Sequence, residues 1–246
     1  MKTCTRGLVI PSELCLASGE HVEKPVHRDY VHSLDHIARF LERRGIVTER
    51  QIRGDLPLGF GLASSTMLAF LHTSRSLSLA NATQIVHECD REIHGFEPSG
   101  VDAAAIFSQG SGFYSTGGWE RIQAPPLRCS LAFLPPERLR SLSEVENAMS
   151  GVAIVLTQLA NAMSRGIERT GALDYGLFLD YSRVLFDASV YSSASREFVA
   201  KLLDAGIAAK AIGGLYDKAI LVVWADVEAA NRHEHLLDGA RIPPPV

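Results

Sequence analysis

The chain has 246 residues, room for one or two domains with a sizeable core, and 46% hydrophobic against 21% charged residues excludes a disordered or fibrous protein. A formal charge of −4, from 24 Lys and Arg against 28 Asp and Glu, argues against a nucleic-acid partner, which would draw a strong basic patch. No apolar run approaches the roughly 20 residues that span a bilayer, so no membrane partner is expected.

In chain order, Gly7-Leu-Val-Ile10 predicts a short strand before Pro11, and a second apolar stretch, Leu14–Ala17, leads into Ser18-Gly-Glu-His21. Val31, Leu34, Ile37, Ala38 and Leu41 recur at helical spacing, which predicts a helix over 29–44 ended by Gly45. Leu56-Pro-Leu-Gly-Phe-Gly61 is a turn-rich loop. It opens a helix that begins with Ala63-Ser-Ser-Thr66 and is expected to run to about Leu79. A further helix is predicted from an N-cap at Thr83 to His94, stopped by Gly95. After a second turn-rich loop, Gly95–Asp102, strands are predicted at 104–108 and 112–116, joined as a hairpin through Gln109-Gly-Ser111.

Arg128–Leu134 reads as a buried strand, and Pro125-Pro126 before it marks the expected boundary between domains 1–125 and 126–246. After Pro135-Pro136 the pattern is mostly helical to about Asp204. Strands at 208–212 and 219–224 and a helix at 227–237 complete the chain. Strands and helices mix without strict βαβ alternation, so the fold class is α+β in two halves. The N-terminal segment has too brief an apolar stretch for a signal peptide. Cys4, Cys15, Cys89 and Cys129 form no CxxC pair, which suits reduced thiols in a cytoplasmic protein.

Two loops carry the chemistry. In Pro57-Leu-Gly-Phe-Gly-Leu-Ala-Ser-Ser-Thr66 the glycines free the backbone to turn its N–H groups inward, and the following helix offers its positive end. Ser64, Ser65 and Thr66 add hydroxyls able to touch phosphate oxygens or Mg²⁺. No GK[ST] follows, so this cradle is not a P-loop. In Pro98-Ser-Gly-Val-Asp102, Pro98 and Gly100 fix a loop from which Asp102 projects, where a carboxylate could take the proton of a substrate hydroxyl. The preceding helix carries Glu88, Asp90 and Glu92, one of which could hold Mg²⁺ with phosphates and water as the remaining ligands. A pair of histidines, His32 and His36, lies four apart on a helix but has no third ligand specified, and reads as a solvated face. The apolar run Val155–Met163 is either core or a dimer face.

Three stretches make the chain similar to the GHMP small-molecule kinases, and within them to the mevalonate kinases. Pro57–Ser65 resembles the family's P-x-G-x-G-L-[GA]-S-S phosphate loop. Cys89–Asp102 resembles E-R-x-I-H-G-x-P-S-G-[VI]-D with one inserted residue. Leu16-Ala-Ser-Gly-Glu-His21 resembles the substrate-side L-x-G-E-H segment.

The resemblance implies an N-terminal half like ribosomal protein S5 domain 2 and a ferredoxin-like C-terminal half. It implies in-line transfer of the γ-phosphoryl of ATP to a small hydroxylated metabolite, with Mg²⁺. By position, Gly59, Gly61, Leu62, Ala63, Ser64, Ser65 and Thr66 would bind ATP, and Ser65 and Asp90 would bind Mg²⁺. Asp102 would be the catalytic carboxylate, while Glu20, His21, Ser99 and Gly100 would lie on the substrate side. A homodimer is common among such relatives.

Three departures accompany the resemblance. Leu14 stands where the family has a lysine. Only about 35 residues separate His21 from the phosphate loop, where relatives carry a much longer segment. The family's late glycine loop becomes Ala211-Ile-Gly-Gly-Leu-Tyr-Asp217. These departures motivate an alternative, a catalytically degenerate protein of the same fold that binds a small molecule or a protein partner.

Overall fold

The computed structural model describes residues 7–9, 12–14, 28–46, 66, 69–70, 72–73, 77–95, 100–108, 111–115, 118–122, 127–134, 142–188, 191–212, 219–238 and 240. The chain divides into two compact units, Glu23–Gln109 and Met1–Val22 with Gly110–Val246.

The Glu23–Gln109 unit is helical. Helix α1 (Arg28–Glu42) ends in a turn at Gly45, as the sequence spacing predicts. Thr66, Ala69, Phe70, His72 and Thr73 are helical, and the Leu77 N–H closes on the Thr73 carbonyl at 3.0 Å. The predicted run to Leu79 therefore stops short, because Ser78 begins a new element. Helix α2 (Leu79–His94) is capped by Ser78, whose Oγ accepts the Asn81 N–H at 3.5 Å, and not by Thr83. Ser78 has the extended backbone a capping residue needs, and the Leu-Ala-Asn-Ala stretch that follows continues readily as helix.

Residues 104–108 belong to helix α3 (Val101–Ser108), not to the predicted strand. Three consecutive alanines favour helix, and burial of Ala103 against α2 decides the matter locally. Ile37, Phe40, Leu41, Ala69, Val86, Cys89 and Ala103 form the core of this unit.

The second unit holds both sheets. Strands β1 (Gly7–Val9), β3 (Ser111–Ser115) and β4 (Gly118–Ile122) form one antiparallel sheet in the order β1-β3-β4. The hairpin is therefore β3–β4, with Ser115 opposite Gly118, and not the 104–116 hairpin expected. The other sheet has the order β2-β5-β7-β6, from Ser12–Leu14, Leu127–Phe133, Ala219–Trp224 and Ala208–Ile212. Only the β2–β5 pair is parallel, and it joins segments from either side of Pro125-Pro126.

Both faces of this sheet are covered, which is why Ala219-Ile-Leu-Val-Val-Trp224 is apolar throughout rather than alternating. Ala132, Ala209, Ile220, Val222 and Trp224 pack on one face and Cys129, Ala208 and Val223 on the other. Helices α4 (Leu142–Ser150), α5 (Ala153–Thr170), α6 (Tyr175–Ala188), α7 (Ser193–Asp204) and α8 (Val227–His233) fill the helical stretches that the sequence predicts. In α5, Leu156, Ala160, Met163 and Ile167 are buried while Ile154 and Val155 are exposed, so most of its apolar run is core. Among the described residues no helix is long and apolar enough to cross a membrane.

Candidate functional site

Helix α2 carries its carboxylates on two different faces. Ala82, Val86 and Cys89 are fully buried at helical spacing, and Asp90, four residues after Val86, falls in phase with them at 6% exposure. Glu88 and Glu92 lie four apart on the outer side. Glu88 accepts from Arg44 at 2.9 Å and from Gln84 at 3.1 Å, and Glu92 is paired with Arg43 and His36 of the α1 segment. The Arg44 hydrogen bond, then that of Gln84, holds the Glu88 carboxyl below the usual glutamate range. At Glu92 desolvation acts upward, but the bonds to Arg43 and His36 outweigh it and the carboxyl is again lowered. His36 thus faces a carboxylate within a solvated ion-pair cluster.

Asp90 is held differently. Thr66, 2% exposed, donates its Oγ1–H to Asp90 Oδ2 at 2.6 Å. Thr66 directly follows Ser64 and Ser65 of the predicted phosphate loop, so this bond joins the helix after that loop to α2. Cys89, beside Asp90, is held neutral, its thiol pushed up to about 12 first by burial and then by the charges of Asp90 and Glu92. A thiol in that state is neither nucleophile nor metal ligand.

The third segment reaches the same core. Gly100 has φ 77°, a left-handed backbone that suits glycine, and its carbonyl accepts the Ala104 N–H at 2.9 Å to close the first turn of α3. Asp102 is the second residue of that helix and is exposed, where the unsatisfied N–H groups of the first turn favour a carboxylate. Ala103, next in sequence, is buried with Ala69, Val86 and Cys89. Phe70 and Phe107 meet edge to face with ring centroids 4.7 Å apart.

Of the predicted site residues, Thr66, Asp90, Gly100 and Asp102 are therefore gathered on three helical segments sharing one small core. Gly59, Gly61, Leu62, Ala63, Ser64, Ser65, Glu20, His21 and Ser99 lie outside the described residues, as does the Gly213–Asp217 stretch. The Thr66–Asp90 pairing was not foreseen from sequence. A usable signal existed, since Asp90 alone of the three acidic residues of α2 keeps step with Ala82 and Val86.

Among the described residues no group of three or more His, Cys, Asp or Glu side chains is arranged to hold a metal ion. A buried carboxylate beside a hydroxyl is nonetheless an all-oxygen donor set. It fits Mg²⁺, which takes one or two carboxylates and completes its shell with phosphates and water.

No protein-family model matches the chain, and no curated protein matches its sequence. Solved structures do. Mevalonate kinase from methicillin-resistant Staphylococcus aureus is 18% identical with a TM-score of 0.54, covering 97% of this chain and 85% of that one. Mevalonate kinase of L. major, in complex with R-mevalonate, is 14% identical with a TM-score of 0.57, covering 97% and 82%. Phosphomevalonate kinase of Streptococcus pneumoniae, in complex with phosphomevalonate and AMPPNP, is 13% identical with a TM-score of 0.54, covering 98% and 88%. The chain has the GHMP kinase fold.

The α+β class expected from sequence is thereby met, and the GHMP kinase fold accounts for nearly the whole chain. At such low identity the likeness concerns the fold, and the activity must be argued from the site.

Proposed function

We propose that the chain is a Mg²⁺- and ATP-dependent small-molecule kinase, with mevalonate the first acceptor alcohol to try. One observation carries this reading. The Thr66–Asp90 bond ties the helix after the phosphate loop to a buried carboxylate, within a core that also seats the helix of Asp102.

In this reading residues 1–125 form the nucleotide-binding half and 126–246 the second half. Gly59, Gly61, Leu62, Ala63 and Ser64 would cradle the phosphates through backbone N–H groups and hydroxyls. Ser65 and Asp90 would hold Mg²⁺, which supplies positive charge to the triphosphate. Glu20, His21, Ser99 and Gly100 would orient the acceptor alcohol. Asp102 takes the proton of the acceptor hydroxyl as its oxygen bonds to the γ-phosphorus and the bond from that phosphorus to the bridging oxygen breaks, leaving ADP.

The variant Asp102→Asn is nearly isosteric and keeps a polar group at the helix start. It should lower phosphoryl transfer by about 10²–10⁴-fold, the usual range for a lost general base, with unfolding temperature close to wild type. Full activity in that variant would remove Asp102 from the mechanism.

The alternative reading, a degenerate binder of a small molecule or protein, is favoured by Leu14. This residue sits on β2 opposite Cys129, where the resemblance implies a lysine. A lysine there would offset charge on the transferring group. Lys24 and Arg28 lie nearby in sequence as other cationic sources. The two readings part on ATP binding, which only the kinase requires to depend on Mg²⁺.

A further inference from the structure

Four threonines show what is unusual about Thr66. Thr73, Thr157 and Thr170 each turn the hydroxyl back onto the carbonyl four residues earlier, at 2.9, 2.7 and 2.9 Å. That is the ordinary local outlet for a helical threonine. Thr66, also helical, donates to a carboxylate 24 residues away on another helix. Both partners are more than nine-tenths buried. An apolar residue at position 90 would continue the Ala82–Val86–Cys89 stripe without the desolvation cost of a carboxylate. A buried carboxyl group in an otherwise apolar stripe is a local rule broken, and such breaks concentrate at functional sites.

We propose that Thr66 is a positioning residue that acts through Asp90 and not on the nucleotide directly. Its hydroxyl fixes the rotation of the Asp90 carboxylate, and its branched β-carbon, which restricts the side-chain torsion, keeps that hydroxyl aimed. The inference rests on the kinase reading, in which Asp90 meets Mg²⁺. Outer partners of metal-binding groups typically set metal affinity over 10–100-fold.

The test is calorimetric titration of ATP, with and without Mg²⁺, into wild type, Thr66→Val, Thr66→Ser and Thr66→Ala, with thermal unfolding of each. Wild type should gain ATP affinity on adding Mg²⁺. Thr66→Val keeps shape but loses the hydroxyl, and its gain should fall at least about tenfold; Thr66→Ser, which keeps the hydroxyl but not the branch, should retain most of it. Equal Mg²⁺ gains in wild type and Thr66→Val, with only the unfolding temperature lowered, would make the hydroxyl purely structural and overturn the proposal. If the valine variant does not fold, the Ser and Ala variants, which differ only in the hydroxyl, carry the same comparison. A retained gain in Ser with a loss in Ala supports the proposal, and equal gains overturn it. No Mg²⁺ gain in wild type itself would sink the kinase reading, and this inference with it.

Discussion

Tyr175 and Trp224 of the sheet unit and Thr66 of the helical unit use their polar groups for different ends. In the sheet unit the two side chains bond to the backbone or to a serine hydroxyl. Tyr175 donates to the Val223 carbonyl at 2.8 Å and accepts the Ala208 N–H at 2.9 Å, bridging facing residues of β6 and β7. Trp224 gives its indole N–H to Ser130 at 2.8 Å. In the helical unit, Thr66 supports a side-chain carboxylate instead. On the kinase reading we propose, that difference separates scaffold from chemistry. A polar group that completes a ladder explains itself, whereas a carboxylate buried in an apolar stripe asks for a function.

Substitutions can break or sharpen that contrast. The largest effect belongs to the sheet core. Ile220, fully buried between strands and α7, should cost about 2–5 kcal/mol of stability as Ile220→Ala, read by denaturant unfolding. The Thr66→Val, Asp90→Leu double variant should go the other way. Replacing both partners of a buried hydrogen bond by apolar groups of similar shape can be nearly neutral or stabilising, and here it should abolish Mg²⁺-dependent ATP binding. Marked destabilisation by that double change would class the pair with the scaffold.

Tyr175→Phe leaves the Ala208 N–H and the Val223 carbonyl without their shared partner. It should cost about 1–3 kcal/mol and leave ATP binding unchanged. Burial raises the Tyr175 hydroxyl above its ordinary range, so it stays protonated and keeps both bonds through neutral pH.

Smallest is the outer face of α2. A double-mutant cycle on Arg44 and Glu88 should give about 0.2–1 kcal/mol, as for other exposed pairs. The Glu88 carboxyl is lowered in the folded chain, so its contribution is present above the ordinary value near 4.5 and is lost as pH falls through the folded value. The stability difference between wild type and Glu88→Gln should therefore be seen at pH 7 and fade on strong acidification.

Much of the architecture was legible because the patterns were strong. Helix α1, strands β5 to β7 and the long helical run each carry an unbroken apolar period or run with clear ends. The failures have local causes. Residues 104–108 are apolar and short, a length at which strand and buried helix look alike, and only the alanines favour helix. Strand Gly118-Trp-Glu-Arg-Ile122 was missed because its polar residues suggest a loop, and only pairing with β3 makes it a strand. At the site, the motifs picked out Asp90 and Asp102. The motif also picked out Thr66 for the nucleotide, but its bond to Asp90 depends on tertiary packing, and the sequence signal for it was only the helical phase of Asp90.

The most direct test of the account is isothermal titration of the purified protein with ATP, with and without Mg²⁺. The kinase reading predicts micromolar binding that requires Mg²⁺ and is lost in Asp90→Asn. Absence of binding under both conditions, or binding indifferent to Mg²⁺ and to Asp90, would contradict it and turn attention to a protein or metabolite that this fold binds without chemistry.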